Sequence, residues 1–272
     1  MFATYETALD HLELHRLVIM LTLTGAGVSS VCVLLTLLSE LILHGSMVFS
    51  LRLSQLGDYN QCTLAFLFNA GMLSYGICTL MSMFGLYHLK LGRLSQWLSW
   101  SGGWLGISTL LLGAFPATLM ELHRYAHASM LVSTQLFCVL AIISWIRCKP
   151  YCTKGMMLVS ILLFLTAANC LKQFDWHNMK LLLCPQSDMP HLCPIAINSW
   201  LVIILSIHWD ILQTLNMRRR LNAYYDTLQP QYQISSSSGA AIHHETGTIS
   251  CPMRHLLPQT GTATDKLRPH QP

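Results

Sequence analysis

Six runs of mostly apolar residues dominate the chain: 17–43, 64–86, 97–115, 128–146, 155–171 and 195–215. A helix needs about 20 such residues to cross the hydrocarbon core of a bilayer. No water satisfies N–H and C=O groups there, so each run must pair its own backbone, and a helix does so. The expected fold is therefore all-α, a polytopic transmembrane bundle of about six helices over 17–215. A cytoplasmic segment, 1–16, precedes it and a polar tail, 216–272, follows. The third run stops at Pro116, and the fifth is the shortest. Composition agrees, since 53% of the 272 residues are apolar and 10% are charged, against about 25% charged in an ordinary soluble domain. The first run is longer than a signal-peptide core and no clean small-residue cleavage pattern follows it, so it reads as a retained span.

Basic residues cluster on alternate connections. With the N-terminus inside, the inner segments hold Arg16, then Lys90 and Arg93, then Arg147, Lys149 and Lys154. The tail adds Arg218, Arg219, Arg220, Arg254, Lys266 and Arg268. The outer loops keep Arg52, Arg124, Lys172 and Lys180. The positive-inside rule then places both termini in the cytoplasm, which in a bacterial cell makes the host the plasma (inner) membrane. Five spans would put the termini on opposite sides and break the alternation. No basic stripe of the kind that follows nucleic acid is present, so nucleic acid is not an expected partner. After Tyr232 the tail is rich in Ser, Thr, Gly and Pro, a composition that buries too little surface to fold alone and suits partner binding.

Ten cysteines are scattered. Cys32, Cys78, Cys138 and Cys170 lie in apolar runs and read as small buried hydrophobes. Cys184 and Cys193 share one polar loop, a candidate disulfide in an oxidising compartment. Cys148 and Cys152 flank a basic turn without two further metal ligands nearby. Gly25 with Ser29 and Gly102 with Gly106 are four apart, spacing that lets helices approach closely.

Polar side chains concentrate at the outer ends of the first four runs: Glu40, Asp58, Asn69, Glu121, His123 and His127. Four-residue spacing puts His123 and His127 on one face if they share a helix. Such a pair suits a divalent metal completed by a nearby carboxylate. The competing reading is solvation at the membrane interface, which asks for no ligand. His208 and Asp210, two apart in the sixth run, point in different directions on a helix. Asp210 there is solvated near the cytoplasmic headgroups, paired with a basic side chain, or part of a proton relay. The chain carries neither H-E-x-x-H, G-x-S-x-G nor a phosphate-binding glycine loop.

Three stretches carry a resemblance. Leu53-Ser54-Gln55-Leu56-Gly57, then Phe68-Asn69-Ala70-Gly71, then Gly113-Ala114-Phe115-Pro116 followed by His123 and His127, resemble the bacterial six-span membrane proteins of domain-of-unknown-function family 998. They are more distantly similar to the DRAM-like membrane group. In that pattern an S-x-L-G run precedes a span bearing F-N-x-G, and a G-x-F-P turn ends the next span before one or two histidines. Gln55 stands where an acidic residue is common. The resemblance covers about Leu17 to Leu215 and implies six helices and an external polar cluster, but no reaction.

Three functions remain open at this point. The first is a non-enzymatic bundle interacting with membrane lipid, or with a protein partner through the tail. The second is a membrane-embedded enzyme acting on lipid at the outer face through His123, His127 and a carboxylate, with or without a divalent metal. The third is a small transporter using Glu40, Asn69 and Asp210, which no internal repeat or pair of broken spans supports.

Overall fold

A computed structural model describes the backbone of residues 2–89, 92–147, 153–176, 180–181 and 194–237. Side chains are described over 13–49, 51–89, 92–147, 153–176, 194–219 and at Leu221. The Cys184–Cys193 pair, Cys148 and Cys152 lie outside the described residues, as does 238–272 of the tail.

Among the described residues the chain forms an all-α bundle of six helices: α1 Phe2–His44, α2 Ala65–His88, α3 Arg93–Ala114, α4 Met120–Arg147, α5 Lys154–Lys172 and α6 Pro194–Ser237. Each packs on its neighbours in sequence, and α6 returns to α1, closing a ring. Alternating helix directions place the start of α1 and the end of α6 at one end of the bundle. The opposite, distal end carries two short 3-10 turns, Gly45–Ser50 and Leu53–Gly57. It also carries a two-residue antiparallel pairing, Phe174–Asp175 with Lys180–Leu181.

Local chemistry sets the helix ends. Gly45 takes a φ of 61° after α1, a left-handed stop that a residue with a Cβ adopts at a cost. Thr153 caps α5 by accepting from Met156 N at 3.3 Å. Pro116 breaks the chain after α3, and Leu119 N bonds Pro116 O at 2.8 Å in the turn that launches α4. That helix starts at Met120, eight residues before the apolar run expected from 128, because polar Glu121, His123 and Arg124 continue the helical turn. At the other end α6 runs on through Asn216 to Ser237, past the boundary expected for the tail.

Large apolar side chains face outward as well as inward. Ile42 is 83% exposed, Trp100 67% and Phe84 61%. Ser29, Ser82, Ser108, Thr109, Ser133 and Thr134 are all buried. In water such an apolar exterior would drive association; in lipid it is solvated, and small polar residues inside let helices close up. Inner hydroxyls donate to carbonyls of their own helix, as from Thr36 to Cys32 O at 2.8 Å and from Ser160 to Met156 O at 2.8 Å. Gly25 packs against Cys78, Gly102 against Met83 and Phe137, and Gly106 against the backbone of Gly76 and Leu80. The small-residue spacings therefore serve packing within the chain.

Among the described residues five segments are long and apolar enough to cross a membrane: Glu13–Phe49, Ala65–His88, Met120–Arg147, Lys154–Lys172 and Pro194–Arg219. The protein is an integral, multi-pass membrane protein. The helix outside that set, α3, is diluted by Ser, Gly and Gln, and it buries Ser99, Ser101, Gly102, Gly106, Ser108, Thr109 and Gly113.

Candidate functional site

The distal loop, 45–64, is pinned into the bundle from three helices. From α1, the buried Glu40 accepts from Thr63 N at 3.1 Å through Oε1 and faces His44 Nε2 at 3.4 Å through Oε2. From α2, the buried Asn69 donates from Nδ2 to Gly57 O at 3.0 Å. Gly57 lies so close that a Cβ there would meet Asn69 Oδ1 at 2.5 Å. From α6, Ser199 Oγ accepts from Leu53 N at 3.2 Å and Trp200 Nε1 donates to Leu51 O at 3.2 Å. Glu40 and Asn69, expected in an outer cluster, are thus committed to holding this loop.

Beneath the pinned loop is a partly open cavity of about 250 Å³. Its lining combines the polar side chains of Arg52, Gln55, Asp58, His123, Arg124 and His127 with apolar Phe68, Met72, Leu112, Leu131 and Val202. Three of the six expected cluster residues therefore share this cavity: Asp58, His123 and His127. Glu121, also expected there, is exposed on α4 and does not line it. Asp58 Oδ1 accepts from Asn60 N at 2.9 Å, an Asx turn that shapes the rim.

The two histidines do lie on one helix, and their rings stack 6.4 Å apart with an interplanar angle of 14°. His123 Nδ1 is bonded to Phe115 O at 2.7 Å, so the carbonyl accepts and the Nδ1–H tautomer donates. The other nitrogen, Nε2, is buried without a partner. Among the described residues no group of three His, Cys, Asp or Glu is placed to hold a metal ion. The pair supplies at most two ligands, and Glu40 and Glu121 are engaged or turned away. Asp58 is the expected carboxylate that lines the same cavity as His123 and His127.

Arg52 and Arg124 were counted in the sequence as outer charges, not as site residues, yet both line the cavity. Among the described residues the one ion pair is His44–Glu40, so neither arginine has a carboxylate partner. Burial, reinforced by the charge of Arg124, depresses the Arg52 guanidinium below its ordinary value. The cavity thus gathers two guanidinium groups without a paired carboxylate among the described residues, with Asp58 elsewhere on the same lining and apolar side chains beside them. The two are far apart in the chain, and the fold brings both to the lining of this cavity.

Residues 26–179 match the family described as "Protein of unknown function (DUF998)". Neither a curated protein nor a solved structure matches the chain. The match is narrower than the resemblance over Leu17 to Leu215, leaving out α6 and its share of the cavity wall. It covers more than half of the chain, and the chain belongs to this family.

Proposed function

We propose that this member of domain-of-unknown-function family 998 is a non-enzymatic lipid-interacting bundle. Its distal cavity receives the anionic head group of a phospholipid-class amphiphile, with the start of an acyl chain against the apolar lining. The observation carrying this reading is the pair Arg52 and Arg124, without an ion-pair partner among the described residues, on a cavity lined also by Phe68, Met72, Leu112 and Leu131. A phosphate or carboxylate between the guanidinium groups relieves their mutual repulsion and accepts forked hydrogen bonds. His123 Nε2, buried and unpartnered, is supplied with a partner by the same head group. Apolar lining with a few convergent polar groups is the usual make-up of a small-molecule site.

The proposal includes α3 as a sixth span. Its 22 residues reach roughly 33 Å at about 1.5 Å per residue, enough for a hydrocarbon core about 30 Å thick. It includes cytoplasmic termini, on the Lys and Arg asymmetry, so the cavity opens at the outer leaflet.

The test is lipid binding to purified protein by native mass spectrometry, offering phosphatidylglycerol, phosphatidylcholine or inorganic phosphate. The Arg52→Ala/Arg124→Ala variant is expected to lose about tenfold or more in phosphatidylglycerol affinity, roughly 1.4 kcal/mol, with phosphatidylcholine unchanged. Undiminished binding of the anionic lipid would overturn the reading. Phosphate binding as tightly as the lipid would assign the site to a free anion.

A second reading, an enzyme acting on lipid at this face, is favoured by Asp58, His123 and His127 lining one cavity. There a neutral histidine would serve as general base. Turnover of phospholipid in vesicles that His123→Ala and His127→Ala abolish would replace the binding reading with this one.

A further inference from the structure

A second, smaller chamber lies one helical turn below the distal cavity. Met72, Met130, Val202 and Ile203 line both. Tyr75, Thr134 and Ser206, each three or four residues further along the same helices, line only the deeper one, with Ser29 and Thr109 from α1 and α3. Its volume is about 30 Å³, room for one or two waters at about 10–15 Å³ each.

The hydroxyls lining this chamber have spent their protons. Ser29 donates to Ala26 O at 3.1 Å, Thr109 to Leu105 O at 2.9 Å, Thr134 to Met130 O at 2.7 Å and Ser206 to Val202 O at 2.7 Å. Each oxygen keeps a lone pair free to accept. Such walls favour a species that donates, which means water or a hydrated proton. Tyr75, among the described residues the one titratable side chain lining the chamber, donates its hydroxyl proton to Asp210 Oδ2 on α6.

Asp210 is 7% exposed within a membrane-spanning segment. Among the described residues no basic side chain pairs with it. From α1 the chamber receives Ser29 and Val33, from α3 Leu105 and Thr109, and from α4 Met130 and Thr134, none of them charged. From α5, Ser160 bonds the neighbouring Trp209 at 2.9 Å. On α6 itself His208 is exposed and bonded to Ile204 O. The sequence-based options of headgroup solvation and a basic partner are both replaced by Tyr75. An uncompensated carboxylate at this depth carries a high desolvation cost, which a bound proton removes.

We propose that Asp210 is a proton-binding site inside the membrane that exchanges its proton with the distal cavity through the inner chamber and the Tyr75 hydroxyl. On uptake, a protonated water in the chamber gives a proton to the Tyr75 oxygen as the existing hydroxyl proton moves to Asp210 Oδ2. The carboxylate becomes a carboxylic acid, the water is left neutral and Tyr75 ends unchanged. The site stands whether or not a lipid occupies the cavity above. The shared wall of Met72, Met130, Val202 and Ile203 makes proton access sensitive to whatever fills that cavity.

Infrared difference spectroscopy of the full chain in lipid nanodiscs, titrated with acid, tests this. The expected result is a protonated-carboxyl C=O band that grows as pH falls, shifts in D₂O and is absent in Asp210→Asn. Met72→Trp, which fills the shared wall, is expected to slow hydrogen–deuterium exchange of that band severalfold without removing it. Absence of any Asp210-dependent titrating band would overturn the site, and unchanged exchange in Met72→Trp would overturn the route. If Asp210→Asn fails to fold, labelling of unsubstituted protein with dicyclohexylcarbodiimide, which needs a protonated carboxyl, decides the same question. An adduct on Asp210 that increases as pH falls supports the proposal; one that is absent or independent of pH overturns it.

Discussion

Cys62 lies at the seam where the distal loop meets α1, 6% exposed and hydrogen-bonded to Glu40. Burial, then the hydrogen bond to Glu40, pushes its thiol from an ordinary 9.0 up to about 12. The folded chain therefore keeps a proton that the unfolded chain loses above its ordinary value. The stability this contributes is present below about pH 9 and is lost as pH rises toward about 12. At pH 8 a maleimide is expected to leave Cys62 unmodified in native protein and to modify it fully once the chain is denatured. Equal labelling in both states would show that the loop is not seated as described. Glu40 illustrates how far single residues were legible. Its type and its place near the end of an apolar run marked it as important, because a buried carboxylate requires partners. Its partner, Thr63 N, is a backbone amide without a sequence signature.

At the scale of the helix, glycines decide which surfaces touch. A Cβ on Gly76 would stand 2.5 Å from Leu110 N, and one on Gly113 2.7 Å from Leu73 N, so α2 and α3 meet backbone to backbone. Gly27, with nothing within 4 Å, faces outward. Gly76→Ala and Gly113→Ala are each expected to destabilise by about 1–3 kcal/mol, whereas Gly27→Ala is expected to be neutral or slightly stabilising. Thermal unfolding in detergent checks the contrast, and three equal midpoints would contradict the α2–α3 packing. The same contact explains why α3 falls short on hydropathy, since the Ser and Gly residues that lower its mean are the ones buried against neighbours. The G-x-F-P stop after α3 was legible from Pro116. The early start of α4 was not, because its first two turns are polar and apolar periodicity has nothing to register there. That early start is what sets His123 and His127 on a helix rather than in a loop.

For the whole molecule, the ring of six helices brings the loop, α4 and α6 over one cavity and sets Asp210 beneath it. Single cysteines introduced at Tyr59 and Lys154 in a cysteine-free background test the proposed orientation. A membrane-impermeant thiol reagent added to intact cells is expected to modify Tyr59→Cys and spare Lys154→Cys. The reverse pattern would place the cavity on the cytoplasmic side and move the proposed lipid to the inner leaflet.

Apolar run length by itself determined the helical membrane fold, because backbone desolvation in lipid leaves a single run few alternatives to helix. Short motifs in the distal loop and around the histidines carried the family, and the end of the bundle where polar side chains gather was legible with them. Tertiary structure alone decided which of those side chains share a space. It turned Glu40 and Asn69 into loop anchors, left Asp58, His123 and His127 at a cavity, and brought Arg52 to Arg124 and Tyr75 to Asp210. The reason is physical: periodicity records which face of a helix avoids water or lipid, while the pairing of one polar group with another depends on helix rotation and loop return. Those are set by packing among glycines and hydroxyls distributed over the whole chain.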